Sequence, residues 1–232
     1  MDDVAYVEMA QRAAAAGSDA IFIDSFADYA IAAMRAAIDI PVIGAGEAGM
    51  AAAAAGGRRY SIVTIWPQSM AFLYDERLRM FDTDRQCAGV HHVSPETDLD
   101  RLTAEDGVMQ RMQRHEDAIV ERLVTACEKA ARCDGADCIL LGCTCMAPVG
   151  ALIQSRLAVP VIECSRVGFM AAVTAAQSGV RHSVVVPEHR RALAARLVDG
   201  FAPGKAVANS AAETADADCP VCIFTPRVGA AA

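Results

Sequence analysis

Short apolar runs alternate along the chain with longer amphipathic or alanine-rich stretches, which is the pattern of α/β proteins. Apolar runs typical of buried strands lie at residues 20–24, 41–44, 60–65 and 139–141, with a short candidate at 90–93. Helical periodicity is found at residues 2–16, 29–37, 68–80, 103–132 and 165–177. The pattern therefore predicts parallel strands joined by helices.

The most informative stretch is residues 139–146, which read Ile-Leu-Leu-Gly-Cys-Thr-Cys-Met. Apolar residues run to Leu141, Gly142 lets the backbone turn, and a helical pattern resumes near Met146. Cys143 is thus predicted at the carboxyl end of a strand and near a helix N-terminus, whose partial positive charge favours a thiolate. Open α/β sheets bind ligands at that edge. A small buried core residue is the alternative interpretation of Cys143.

A second copy of this pattern lies nearer the N-terminus. Asp19 stands six residues before Ser25, and Asp137 stands six residues before Cys143. A Pro-Val-Ile strand follows 16 residues after Ser25 and 17 residues after Cys143. The duplication predicts two similar doubly wound parallel-sheet lobes related by a pseudo-twofold axis. Ser25 and Cys143 would face each other across an active-site cleft between the lobes.

The duplication also predicts a domain organisation. Residues 1–64, with part of 160–232, are assigned to a first lobe, and residues 65–177 to a second. Residues 178–232 form a C-terminal extension. The first lobe opens on a helix where doubly wound lobes usually open on a strand, so either this lobe is trimmed or a strand from elsewhere completes it.

Length, charge and cysteine content narrow the functional classes. At 232 residues with 54% apolar residues, the chain can bury the core of one large or two small α/β domains. A net charge of −8 argues against nucleic acid and anionic membranes as partners. No signal peptide or long apolar span is evident, so a cytoplasmic location is expected. The nine cysteines are predicted to be reduced thiols rather than a disulfide framework.

Three further motifs favour structural interpretations. Residues 44–49 read G-x-G-x-x-G, but no acidic residue ends the next strand as a dinucleotide site requires, so close packing by glycines is preferred. His91 and His92 would point to opposite faces of a strand, so solvated or structural roles are preferred to metal binding. The C-x-x-C at residues 219–222 precedes a strand-like run, so packing is preferred to redox or zinc chemistry. Asp28 is predicted to cap the helix that follows it, or alternatively to hold the loop.

In combination, these segments resemble the aspartate/glutamate/hydantoin racemase superfamily, and most closely its hydantoin and allantoin racemase branch. Residues 142–146 match its second strand-end motif, and residues 25–28 (Ser-Phe-Ala-Asp) occupy the place of its first, typically Cys-Phe-Gly-Asp. Residues 40–48 and 60–64 resemble the branch's next strand-to-helix segment and strand. The resemblance covers about residues 4–177. It implies cofactor-independent chemistry at a carbon next to a carbonyl, in a cleft between two lobes.

This sequence departs from the family pattern in two places. A serine, Ser25, stands where the first family thiol is expected, and the family's opening strand with its Asn-Pro-Asn-like loop has no counterpart. The tail from residue 178 onward also lacks a counterpart. A tail strand at residues 183–186 or 221–225 is therefore predicted to take the place of the missing opening strand.

Racemisation needs a base on one face of the reacting carbon and an acid on the other. Cys143 is predicted to act on one face, with Ser25, a water molecule or Asp24 on the other. A serine hydroxyl is a much weaker acid and base than a thiol, so a symmetric two-thiol mechanism is not expected. Substrate-binding groups are predicted at the two strand ends and at the end of the third strand: Phe26, Ala27, Thr64, Thr144 and Cys145.

Three functions therefore stay open. The first is a racemase or isomerase acting on a small amino-acid-derived or hydantoin-like substrate. The second is a one-thiol lyase resembling arylmalonate decarboxylase, or an isomerase with Cys143 as covalent nucleophile, resembling maleate isomerase. The third is a non-catalytic protein that binds a small carboxylate or ureide. No cofactor or metal is expected, the partner is a small molecule, and a homo-oligomer is anticipated from the resemblance.

Overall fold

The computed structural model describes residues 2–181 together with Ala192, Leu193 and Arg196. Three predictions concern segments outside the described residues: the tail strands at 183–186 and 221–225, and the C-x-x-C at 219–222. Helices and strands alternate along the described chain, as the sequence predicts. In chain order they are α1 (Asp2–Ala15), β1 (Ile21–Ile23), α2 (Ile31–Ala37), β2 (Val42–Gly44), α3 (Ala45–Ala54), β3 (Tyr60–Thr64), α4 (Ala71–Met80), β4 (Cys87–His92), α5 (Val108–Gln113), α6 (Asp117–Cys133), β5 (Cys138–Leu141), α7 (Ala147–Arg156), β6 (Val161–Glu163) and α8 (Cys164–Ser178).

The chain divides into two compact units. One comprises Met1–Asp24, Tyr29–Ile43 and Ala171–Ala232, and the other comprises Ser25–Asp28 and Gly44–Met170. In the first unit, β1 and β2 form a two-stranded sheet, and the rings of Tyr6 and Tyr29 stack 5.6 Å apart. The sequence-based division placed residues 60–64 in the first lobe, whereas the structure puts β3 in the second unit. The pseudo-twofold axis and the cleft stay predictions.

The second unit is built on a four-stranded parallel sheet in the order β4-β3-β5-β6. The two central strands, β3 and β5, are buried at every position, because an apolar run without alternation suits a strand covered on both faces. Ile139 and Leu141 pack into a cluster with residues of α6, whereas Leu140 faces Gly49 of α3. The sheet thus forms the core that fixes where its strands end.

The predicted single helix over residues 103–132 is wrong. The structure has α5 and α6 there, separated at Arg114–Glu116. His115 takes a positive φ of 54° at the break, a conformation that a non-glycine residue cannot hold inside an α-helix. His115 Nε2 lies 3.0 Å from the carbonyl oxygen of Pro148, so the break lets the imidazole reach the start of α7.

Candidate functional site

The strand ends meet at the carboxyl edge of the four-stranded sheet. Thr64 is in register with His92, and the Gly142 N–H donates to the Val63 carbonyl at 2.8 Å. Because all these strands are parallel, their carboxyl ends lie side by side, where ligands bind in open α/β sheets. Cys143 follows directly after Gly142, so the structure places this thiol position at the edge that the sequence predicted.

Cys143 and Cys145 are joined by a disulfide, with their Cα atoms 5.2 Å apart. Cys143 precedes a 3₁₀ turn, Thr144–Met146, which leads into α7, and the Met146 N–H closes the turn on the Cys143 carbonyl at 3.0 Å. The prediction that the cysteines are reduced is therefore wrong for this pair. The other cysteines among the described residues are not disulfide-bonded: Cys87, Cys127, Cys133, Cys138 and Cys164.

Tyr74, on α4, connects two of the strand ends. Its hydroxyl donates to the Gly142 carbonyl at 2.8 Å and lies 2.5 Å from Thr64 Oγ1. The Gly142 carbonyl and the Cys143 N–H belong to one planar peptide unit. The hydrogen bond from Tyr74 therefore fixes the direction of the Cys143 N–H as well. Thr64 is fully buried and also accepts from the Trp66 N–H at 3.2 Å, so its predicted substrate-binding hydroxyl is engaged within the protein.

Two aromatic side chains pack against Tyr74. The ring of Phe26, from the first predicted loop, lies 5.2 Å away, and His92 meets Tyr74 edge-on at 5.5 Å. His92 Nδ1 is 3.0 Å from the Trp66 carbonyl, so Nδ1 carries the proton when the ring is neutral and Nε2 keeps its lone pair. Sequence reasoning missed Tyr74 because its partners are non-local. The one available signal was a tyrosine on a helix, whose hydroxyl needs a partner when buried.

The first predicted loop is a compact turn. Ser25 Oγ accepts the Ala27 N–H at 3.3 Å, and the Asp28 N–H donates to the Ser25 carbonyl at 3.2 Å. Within the described residues, no imidazole, amine or carboxylate forms a hydrogen bond with Ser25 Oγ. Among the residues that the structure describes, therefore, none supplies the Ser25 hydroxyl with the adjacent base that activates a serine. Because the Ala27 N–H is already engaged, it is not a free donor for a substrate oxygen.

Asp28 holds this loop on the N-terminus of α3. It is fully buried, and its two carboxylate oxygens accept the N–H groups of Gly46 at 2.9 Å and Glu47 at 2.7 Å. Of the two predicted roles of Asp28, capping of the helix that follows it is wrong and holding the loop is confirmed, since Asp28 caps α3, about 18 residues further along. Burial raises the pKa of Asp28 to about 7, although the two backbone donors oppose this rise.

The glycines of the G-x-G-x-x-G stretch make room for this contact. A Cβ on Gly44 would lie 2.1 Å from Asp28 Oδ1, and one on Gly46 would lie 2.1 Å from the Phe26 carbonyl. A Cβ on Gly49 would lie 2.8 Å from Cys164 Cβ. The predicted close packing by these glycines is thus confirmed, and two of the three glycines face the first loop.

A second polar network lies toward the amino ends of the strands. Asp134 accepts from Ser61 Oγ at 2.7 Å and lies 2.6 Å from His91 Nε2. Burial raises the pKa of Asp134, but the hydrogen bonds from His91 and Ser61 outweigh it and lower the pKa below its usual value. His91 therefore has a structural role, as predicted. Among residues 2–181, no group of three or more His, Cys, Asp or Glu side chains is placed to hold a metal ion.

The chain is similar to hydantoin and allantoin racemases. A family model described as Asp/Glu/Hydantoin racemase matches residues 2–172. The hydantoin racemase of Rhizobium meliloti is 32% identical over 164 residues, covering 71% of this chain and 61% of that protein. The hydantoin racemase of Pseudomonas sp. (strain NS671) is 29% identical over 177 residues, covering 76% of this chain and 66% of that protein.

A solved allantoin racemase from Klebsiella pneumoniae superposes with a TM-score of 0.66 at 28% identity, covering 78% of this chain and 69% of that chain. The chain spans about two thirds or less of the length of the two curated relatives, 61% and 66%. No helix in the described part of the chain is long and apolar enough to cross a membrane.

Proposed function

The chain belongs to the Asp/Glu/hydantoin racemase family, and from this premise we propose that it is an isomerase. Its substrate would be a small amino-acid-derived or cyclic, hydantoin-like ureide, racemised at the carbon next to a carbonyl. The observation that carries the proposal is the position of Cys143, at the carboxyl end of β5 with its peptide unit held by Tyr74. Similarity to two hydantoin racemases supports the substrate class.

In the proposed reaction, the Cys143 thiolate removes the proton from the carbon next to the carbonyl. The electron pair of that C–H bond moves into the carbonyl group, which gives an enolate. Thiols suit this step because their ordinary pKa, about 8.5, can be tuned toward neutrality. The enolate oxygen needs hydrogen-bond donors that are already oriented. The Cys143 N–H, aligned through the Tyr74–Gly142 hydrogen bond, is our candidate donor, together with the N–H groups of Thr144 and Cys145.

Returning the proton on the opposite face requires a second acid. The Ser25 hydroxyl is a weak acid, and its only side-chain oxygen accepts the Ala27 N–H. This observation favours a second candidate function in which one thiol does all the proton transfer, as in a decarboxylase acting on a malonate. Another one-thiol alternative is nucleophilic attack by Cys143 on the substrate. A non-catalytic ureide-binding protein is the candidate from another class.

The cofactor, the location, the assembly state and the substrate contacts are proposed as the sequence predicts them. We propose that the enzyme needs no cofactor, acts on a small molecule in the cytoplasm and assembles as a homo-oligomer. Phe26 is buried beside Tyr74 and Ala27 is buried within the first turn, so we propose that both shape the site. Thr144 and Cys145 remain candidates for direct substrate contact.

The test monitors by NMR, in heavy water, the exchange of the substrate's stereocentre proton for deuterium, with the protein kept reduced by a thiol. The substrates are single enantiomers of 5-substituted hydantoins and allantoin, with amino acids and substituted malonates in parallel. Wild type is compared with Cys143→Ala and Ser25→Ala. Cys133→Ala is the matched control, because Cys133 is an exposed free thiol. We expect deuterium at the stereocentre with wild type and the control, and none with Cys143→Ala.

The outcomes separate the candidates. Exchange accompanied by loss of optical activity, abolished by Ser25→Ala, supports a two-sided racemase. Exchange that survives Ser25→Ala supports one-thiol chemistry, and carbon dioxide release from malonates identifies the lyase. Exchange that persists in Cys143→Ala contradicts the proposal. Binding of a ureide without any turnover would point to the non-catalytic protein.

A further inference from the structure

The bond between Cys143 and Cys145 closes a very short loop. A disulfide stabilises a fold mainly by restricting the unfolded chain, and this effect grows with the length of the loop that it closes. Two cysteines separated by a single residue restrict the unfolded chain much less than a pair that closes a long loop, so structural cross-linking is a weak reason for this pair. Their Cα separation, 5.2 Å, lies within the range of ordinary disulfides, so the turn accommodates the bond.

The pair is set apart from the other thiols of the described chain. Cys127, Cys138 and Cys164 are buried and not disulfide-bonded, and burial raises the pKa of Cys127 to about 12. Buried thiols of this kind are inert toward oxidants. Cys133 is exposed but free. Within the described residues, therefore, the disulfide is found only at the carboxyl edge of the sheet, and it includes the residue proposed to transfer protons.

We propose that Cys143 and Cys145 form a reversible dithiol–disulfide pair that regulates the site: a small disulfide closes the pair and stops catalysis, and a thiol reopens it. The regulatory part rests on the proposed function, because it assumes that Cys143 is the acid/base. Oxidised, the Cys143 sulfur bears no proton and cannot exist as a thiolate. Reduced, it regains both forms.

The redox step balances with a small disulfide as oxidant. The thiolate of Cys145 attacks one sulfur of the reagent, forming a mixed disulfide and freeing the reagent's other sulfur as a thiol, which stays tethered when the reagent is cyclic. The Cys143 thiolate then attacks the Cys145 sulfur, forming the internal S–S bond and releasing the second thiol. Two electrons pass from the protein to the reagent, and the two cysteine protons end on the released thiols.

Exposure explains this order of events. Cys143 is only 9% exposed, whereas Cys145 is partly exposed. A reagent in solution therefore meets the sulfur of Cys145 first, and Cys143 completes the reaction from inside. Reduction follows the reverse path: an incoming thiolate attacks Cys145 and Cys143 leaves as the thiolate. Cys145 is thus the attacking thiol and Cys143 the resolving thiol, and the internal disulfide protects Cys143 from irreversible oxidation.

The first test reads the covalent state directly. One sample of the full chain is equilibrated with excess lipoic acid and the other with its reduced dithiol. Lipoic acid is a cyclic disulfide, so any mixed disulfide that it forms with a single protein thiol re-closes the ring and does not persist. Thiols are then blocked with iodoacetamide, and the peptides are identified by mass spectrometry. We expect Cys143 and Cys145 unblocked and two hydrogen atoms lighter after oxidation, and both blocked after reduction. The exposed thiol of Cys133 should be blocked in both samples.

The second test measures exchange activity on the same samples. When about nine-tenths of the molecules are oxidised, activity should fall about tenfold and should return on reduction. The matched variants are Cys133→Ser, which should keep this tenfold response, and Cys145→Ser. Whatever the basal activity of Cys145→Ser, its exchange activity after treatment with the disulfide should be about equal to its activity after treatment with the dithiol.

Failures of the two proposals are distinguishable. If both cysteines are blocked after oxidation, or if the disulfide forms without loss of activity, the redox proposal is overturned while the isomerase proposal stands. If the disulfide forms and reopens but no reduced sample shows turnover, the reversible pair is supported and the proposed enzymatic function is overturned.

Discussion

Replacing Asp28 by asparagine tests how the first loop is held on α3. Both Asp28 oxygens accept backbone N–H groups, from Gly46 at 2.9 Å and Glu47 at 2.7 Å, and the side chain is fully buried. Asparagine keeps the size but turns one acceptor into a donor that faces an N–H. Leaving a buried N–H unpaired costs about 1–3 kcal/mol. Below pH 4, where Asp28 is protonated but still accepts, the variant should be less stable by about that amount.

The difference in the free energy of unfolding between wild type and Asp28→Asn should change with pH. Burial raises the pKa of Asp28 to about 7 from its ordinary 3.8, so the folded chain holds this proton more tightly than the unfolded chain. The stability that results is fully present below pH 3.8 and is lost as the pH rises to about 7. The two pKa values differ by an amount equivalent to about 4 kcal/mol in the free energy of unfolding. Because asparagine does not titrate, the variant lacks this loss and should match or exceed wild type by pH 8.

The assay is urea unfolding monitored by far-UV circular dichroism at several pH values between about 3 and 8. Asp100→Asn is the control, because Asp100 is exposed, and its difference from wild type should stay constant. A constant difference for Asp28→Asn as well would refute the reasoning. It would mean that the two N–H donors and the N-terminus of α3 keep Asp28 ionised throughout, so that burial does not control its titration.

Three further predictions concern other contacts. Gly44→Ala should lower the free energy of unfolding by about 1–3 kcal/mol, because its Cβ would overlap Asp28. Ala51→Ser, on the exposed face of the adjoining helix α3, is the control and should change the free energy of urea unfolding by less than about 0.5 kcal/mol. Tyr74→Phe removes the hydroxyl that donates to the Gly142 carbonyl, so the free energy of unfolding should fall by about 1–3 kcal/mol and kcat should fall at least about tenfold. An unchanged kcat would show that Tyr74 does not align Cys143. Asp134→Asn should be less stable than wild type at pH 7. Because the pKa of Asp134 is lowered, this difference in the free energy of unfolding should vanish as the pH falls below 3.8. A difference that persists in unfolding curves at acid pH would contradict an ionic contribution.

The apolar pattern predicted the elements that form the sheet. The runs at residues 60–65 and 139–141 became central strands, because uninterrupted apolar residues are stable only where both faces are covered. The same pattern placed Cys143 just beyond a strand. Helix boundaries were less well determined: periodicity continues through residues 103–132, whereas the chain breaks at His115, where the imidazole reaches the Pro148 carbonyl.

The sequence by itself therefore determined the α/β class, the main strands and the strand-end position of Cys143, because these depend on local periodicity and on short turns. Only the tertiary structure decided which groups meet at that strand end. Asp28 caps a helix 18 residues away, Tyr74 holds a carbonyl 68 residues away, and Cys145 turns toward Cys143 instead of into α7. Such contacts depend on how whole elements pack, and no local pattern of hydrophobic and polar residues records them.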